Sequence, residues 1–94
     1  MLLQVPLEVA APTLTLTMDV LGGAAGGSVG VGVRAKGRPV AGLSLADCVR
    51  VSGNTTNGEV RWKGGANFGR LVGQTVTLEL EIASAIVYTI GWAA

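Results

Sequence analysis

The 94-residue sequence has no histidine, one cysteine and four aromatic residues, Trp62, Phe68, Tyr88 and Trp92. Histidine is the commonest general base, the usual partner of a serine or cysteine nucleophile and the commonest zinc ligand. Its absence removes those chemistries in their ordinary form. A single cysteine, Cys48, excludes an internal disulfide and cannot by itself build a metal site. With no evident base beside it, Cys48 is expected to be a buried structural thiol. Charge is scarce: 14% of residues, seven Lys/Arg against six Asp/Glu. The cations Arg34, Lys36, Arg38, Arg50, Arg61, Lys63 and Arg70 are dispersed. Nucleic-acid affinity needs clustered cations, so no nucleic-acid partner is expected. Long apolar runs are also missing. The longest uncharged stretches, Val20–Val33 and Ile82–Ala94, fall short of the roughly 20 residues of a membrane-spanning helix. Met1–Pro6 has neither the cationic start nor the long apolar stretch of a signal peptide. With no disulfide, these features favour a cytoplasmic, reducing setting and no membrane partner.

What the chain has in quantity is apolar residues, 49% of the total, at a mean hydropathy of +0.52. Disordered chains are far more polar. A chain of this length makes one domain, residues 1–94, and buries roughly 60–65% of its unfolded surface. Such a composition leaves apolar surface over, which points to a protein partner or self-association.

The arrangement of the apolar residues sets the fold class. In Thr75–Ile82, Val76, Leu78, Leu80 and Ile82 alternate with Thr75, Thr77, Glu79 and Glu81. Successive strand side chains point to opposite faces, so this is a strand with an apolar and a wet face. Thr13–Val20 repeats the pattern, and Ser28–Ala35 places Val29, Val31 and Val33 opposite Gly30 and Gly32. The strands flanking the Gly22–Gly27 loop are expected to pair as a hairpin. Further extended segments are predicted at Leu2–Val9, which Pro6 marks as an edge, and at Val40–Leu45, Val49–Ser52, Glu59–Lys63 and Ile86–Trp92. Gly53–Gly58 carries turn chemistry, and one helical turn is expected around Asn67–Leu71. Ile86–Trp92 has no charge on either face and is expected to be central or covered on both sides. Seven to eight strands with short turns and no amphipathic helix define an all-β, antiparallel β-sandwich or jelly roll, with a closed barrel as the alternative.

Few residues invite a chemical reading. Glu79 and Glu81 share a strand face with α-carbons about 6.5–7 Å apart. That lies within the roughly 5–9.5 Å of glycosidase carboxylate pairs. A catalytic pair must flank a sugar in a cleft with one acid desolvated, whereas these sit on a wet face and are expected to be solubilising. Gly22–Gly27 fits neither phosphate-binding glycine pattern, and no cofactor is expected. Asn54-Thr55-Thr56 matches the glycosylation acceptor pattern within a simple turn. Trp62, Tyr88 and Trp92 are the candidate ligand or interface contacts. An aromatic ring can stack on the C–H face of a sugar, but Trp62 takes an inward position, and Tyr88 and Trp92 fall on one face of an apolar strand.

Five stretches carry a family resemblance. Gly37-Arg38-Pro39-Val40-Ala41-Gly42-Leu43-Ser44-Leu45-Ala46-Asp47-Cys48 is followed by Gly53-Asn54 and Val60-Arg61-Trp62-Lys63-Gly64. Leu71-Val72-Gly73-Gln74-Thr75-Val76-Thr77-Leu78 and Ala85-Ile86-Val87-Tyr88-Thr89-Ile90 complete the pattern. Together they resemble the C-terminal β-sandwich of bacterial glycoside-hydrolase-like proteins whose N-terminal part is a five-bladed β-propeller. The chain departs from that pattern at Thr17-Met18-Asp19 and at Asn54, where the family has Asp. In such proteins the catalytic carboxylates lie in the propeller, so the resemblance carries no catalytic residue onto this chain. It implies a non-catalytic sandwich that packs against a catalytic domain. Carbohydrate binding through exposed aromatics and self-association are the alternatives.

Overall fold

The computed structural model describes residues 2–21 and 27–93. Their strands are β1 (Leu2–Glu8), β2 (Thr13–Val20), β3 (Ser28–Ala35), β4 (Arg38–Pro39), β5 (Cys48–Val49), β6 (Val51–Ser52), β7 (Thr55–Glu59), β8 (Arg61–Trp62), β9 (Thr75–Ala83) and β10 (Ala85–Ala93). A 3₁₀ turn, Gly69–Leu71, stands where one helical turn was expected. No helix among the described residues is long and apolar enough to cross a membrane.

The chain is an antiparallel β-sandwich. One sheet runs β1-β9-β3-β4, with β6 also on β3; the second runs β10-β2-β7; β5 and β8 form a two-stranded piece. The alternation in β9 works as its sequence implies. Val76, Leu78 and Leu80 are buried, and they lie opposite Leu7, Val5 and Leu3 of β1 and, from the other side, Leu78 and Leu80 lie opposite Val33 and Val31 of β3. From the second sheet Leu14, Leu16 and Met18 of β2 complete the core, with Phe68 fully buried among them. Each such side chain stabilises the fold by about 1.5–3 kcal/mol on burial.

The long strands change sheet at almost every step, and this overturns the expected hairpin. β2 pairs with β10 and β7, while β3 pairs with β9, β4 and β6, so the strands flanking the glycine-rich loop lie in different sheets. Residues 22–26 of that loop lie outside the described residues. β9 and β10 likewise part company at Ser84, which adopts φ 48° to turn the chain from one sheet to the other. One tight hairpin is present. Lys36 (φ 54°) and Gly37 (φ 78°) make the two-residue connection between β3 and β4, with the positive angles such turns require.

Smaller segments also differ from expectation. Val40–Leu45 forms turns, and residues 44–47 fold into a tight turn in which the Asp47 N–H reaches both the Ser44 carbonyl and Ser44 Oγ at 3.2 Å. Thr55–Glu59 is a strand although its sequence reads as a turn. Its residues are drawn into extension by pairing with β2, and the Asn57 N–H donates to Thr17 Oγ1 at 3.0 Å.

β10 carries the largest correction. Among the described residues it is an edge strand, paired with β2 alone. Val87 lies opposite Met18 but Thr89 lies opposite Thr17, so Tyr88 is an extra residue in a bulge. The bulge exchanges the faces of the strand. Before it Ala85 and Val87 point to the core; after it Ile90 and Trp92 do, opposite Leu16 and Leu14. Ile86 and Tyr88 are left outside at 42% and 58% exposure. A strict two-residue period would put Ile86, Tyr88, Ile90 and Trp92 together, and the structure divides them.

Candidate functional site

The three aromatic candidates reach different environments. Trp62 is buried, with its indole edge-on to Phe68 (centroids 5.5 Å apart, planes at 68°). Phe68 is in turn edge-on to the half-buried Trp92 (5.0 Å, 77°). Such pairs add about 0.5–1.5 kcal/mol beyond the area they bury. Trp62 and Trp92 therefore bracket Phe68 in one row, and Tyr88 stands apart on the surface. Trp62 presents no free face to a sugar.

Trp62 has a further task, which hydrophobic patterning could not reveal. The edge of β3 away from β9 is covered by β6 at Ser28–Val29 and by β4 at Arg34–Ala35. Between them the edge is closed by other groups. The Val33 N–H donates to the Leu43 carbonyl at 2.8 Å, and the Val33 carbonyl accepts from the Val40 N–H at 2.9 Å. At Val31 two side chains do the same work. The N–H donates to Cys48 Sγ at 3.3 Å, and the carbonyl accepts from Trp62 Nε1 at 3.0 Å. Cys48 and Trp62 are cross-strand partners in β5 and β8, so this two-stranded piece is a clip closing the sandwich wall. Buried backbone groups left unpaired are costly, and the clip removes two of them.

Cys48 is thus a structural thiol. Burial pushes its pKa above the ordinary value, more than the Val31 N–H and the nearby Arg50 charge lower it. An unfolded thiol ionises near pH 8.5, at about the ordinary cysteine pKa. Its raised folded pKa means the contribution to stability is complete below that pH and declines as pH rises towards the folded value. Denaturant titrations from roughly pH 7 to 10 should show this decline in the wild type and not in Cys48→Ala. At neutral pH the same variant should be about 1–3 kcal/mol less stable, because the Val31 N–H loses its acceptor.

The acidic pair is also engaged. Glu79 lies 3.6 Å from Arg34, and Glu81 Oε1 accepts from Arg50 Nη1 at 2.7 Å. Arg50 also reaches Ser28 Oγ and the Glu81 carbonyl. Both carboxylates point outward from β9, each beside its own guanidinium. Glu79 is less wet than its sequence suggested, its side chain being 16% exposed.

An open cleft of about 270 Å³ lies where Pro12 and Thr13 meet Glu59–Trp62 and the loop Gly65–Phe68. A shallower neighbour sharing Gly65, Ala66 and Asn67 extends to Ala41 and Arg70. Several of the polar groups here already have partners. Arg61 Nη2 is 3.1 Å from Glu59 Oε2, and Asn67 Oδ1 accepts from the Gly69 N–H at 2.8 Å. Among the described residues no trio of His, Cys, Asp or Glu is placed to hold a metal, and no buried side-chain nitrogen or oxygen lacks a partner. The cleft is lined by the packed aromatics Trp62 and Phe68 and by the paired Glu59 and Arg61.

The surface offers a clearer feature. Ile86 and Tyr88 are exposed on β10, and Leu21 (47% exposed) is hydrogen-bonded through its N–H to the Ser84 carbonyl beside the start of that strand. Fold and site together define a β-sandwich module with an apolar edge. Comparison with protein families, curated proteins and solved structures finds no match.

Proposed function

We propose that this chain is a non-catalytic β-sandwich module that docks on a protein partner through the edge of its second sheet. The observation that carries this reading is β10, an uncharged edge strand with Ile86 and Tyr88 turned outward. The chemically capable side chains support it. Cys48 and Trp62 hold Val31, and Glu79 and Glu81 are ion-paired on an outer face. The resemblance to the sandwich that accompanies glycoside-hydrolase-like propellers agrees in kind, since there the sandwich is packed against a catalytic domain.

Chromogenic glycosides should show no turnover with this chain. Glu79→Gln should change stability by no more than about 1 kcal/mol, as for an ion pair between partly exposed groups. Hydrolysis that disappears with Glu79→Gln would overturn the reading.

Tyr88 gives one reason to keep a second reading, carbohydrate binding, because the residue is 58% exposed. Calorimetric titration with neutral oligosaccharides separates the two. Saturable heat lost on Tyr88→Ala or Trp92→Ala would favour the sugar, and flat titrations would favour the protein partner.

A further inference from the structure

We infer that the partner is a second copy of this chain, joined by antiparallel pairing of β10 with β10 about a two-fold axis. The inference rests on the docking reading above and names its occupant. An edge strand presents a row of backbone N–H and C=O groups, and the surface that complements such a row is another strand. β10 pairs with β2 on one side and with no strand on the other among the described residues. It is nine residues long, Ala85–Ala93, with no charge and no proline. The bulge at Tyr88 leaves Thr89–Ala93 as its regular run.

The other edges are defended. β1, outermost in the first sheet, contains Pro6, which has no N–H to donate, and ends at Glu8. β7, at the far side of the second sheet, carries Glu59 and bends through Asn57 at φ 49°. β4 has two residues. Lysine, proline, irregularity and shortness are the usual protections of an edge, and among these strands β10 has the bulge alone.

These differences also select the partner strand. Whatever lies along β10 is pressed beside Ile86 and Tyr88, where an unpaired charge would be desolvated. β10 of a second copy meets that condition in every antiparallel register, because it has no ionic side chain to oppose. Pairing β10 with β1 of another copy would place Pro6 and Glu8 in the new ladder. It would also be head-to-tail, an arrangement that builds rings or open chains, whereas the two-fold pair closes on itself as a dimer.

Sedimentation equilibrium over a concentration series tests the proposal on the intact chain. The wild type should pass from monomer to dimer. Thr89→Lys puts a cation into the regular run and should weaken association about tenfold or more. Tyr88→Lys, at a site already exposed, should weaken it in the same direction and guards against a folding defect in the first variant. Gln4→Lys on β1 should leave association unchanged. Amide exchange in β10 should slow as wild-type concentration rises. A monomer throughout, with β10 exchange independent of concentration, overturns the proposal. So does a dimer weakened by Gln4→Lys and indifferent to Thr89→Lys, or open-ended growth of the wild type. A monomeric result leaves the non-catalytic reading standing, and glycoside hydrolysis would defeat that reading without touching the pairing.

Discussion

Trp62→Ala is expected to lower the unfolding free energy by about 3–5 kcal/mol, the largest loss from any one side chain in the wall of the sandwich. A chain of this length has in total only about 5–14 kcal/mol, so the variant should lose a large share of its stability. Two effects add. The cavity removes the edge-on contact with Phe68, on which Trp92 also rests. The Val31 carbonyl, in the wall of the core, loses its donor. Trp62→Phe separates them. It keeps an aromatic ring against Phe68 but has no N–H, so it should cost about 1–3 kcal/mol, the penalty of a buried acceptor left unpaired. Chemical denaturation of the three proteins measures both steps. If Trp62→Phe were as stable as the wild type, the clip on Val31 would have no energetic content. The test also bears on function, because a Trp62 that stacked on a ligand would be dispensable for stability.

The role of Trp62 shows where sequence reasoning stops. Its inward position was legible, since Val60 and Trp62 alternate with charged neighbours and both are buried. The hydrogen bond to Val31 was not, because it joins residues 31 positions apart whose sheets are assigned only by the tertiary fold. The same limit explains the mistaken hairpin. Alternation tells which side of a strand is apolar and is silent about which strand lies beside it, and here the long strands alternate between two sheets. β7 was hidden for a different reason. Thr55–Glu59 has the composition of a turn, and pairing with β2 overrides that local preference. At β10 a single inserted residue was enough. The period of two is exact, so an extra residue at Tyr88 reverses every assignment before or after it. The sequence shows the strand's apolar character, but a lack of charge fits burial on both faces as well as an open edge. Among the described residues it marks an open edge. The excess of apolar residues over what one small core can hide becomes visible at Leu21, Ile86 and Tyr88 near that edge, and also at Leu2, Leu3, Val49 and Val72 elsewhere on the surface.

Gly32→Ala should be destabilising by about 1–3 kcal/mol, the range of ordinary overpacking, while Gly30→Ala should be nearly neutral. The two glycines look equivalent in the run Val29–Val33, and both are buried on the outer face of β3. What covers them differs. A Cβ on Gly32 would stand 2.9 Å from the backbone nitrogen of Leu45 and 2.8 Å from its Cγ. Leu45 is held by the Ser44–Asp47 turn and by the Cys48 N–H bonded to its carbonyl at 3.2 Å, so relief requires shifting the segment that carries the Cys48 thiol to Val31. A Cβ on Gly30 would meet the Arg50 guanidinium, 2.6 Å from Nη1, which can swing away at the loss of an exposed ion pair to Glu81 worth about 0–1 kcal/mol and of its exposed hydrogen bonds to Ser28 Oγ and the Glu81 carbonyl. Alanine also restricts the unfolded chain relative to glycine, a gain of about 0.4–1 kcal/mol that offsets the loss. Paired denaturation curves decide it. Equal destabilisation by Gly30→Ala and Gly32→Ala would mean that the cover over β3 is as soft at Leu45 as at Arg50, and that Gly32 is present for some reason other than the close approach of that backbone.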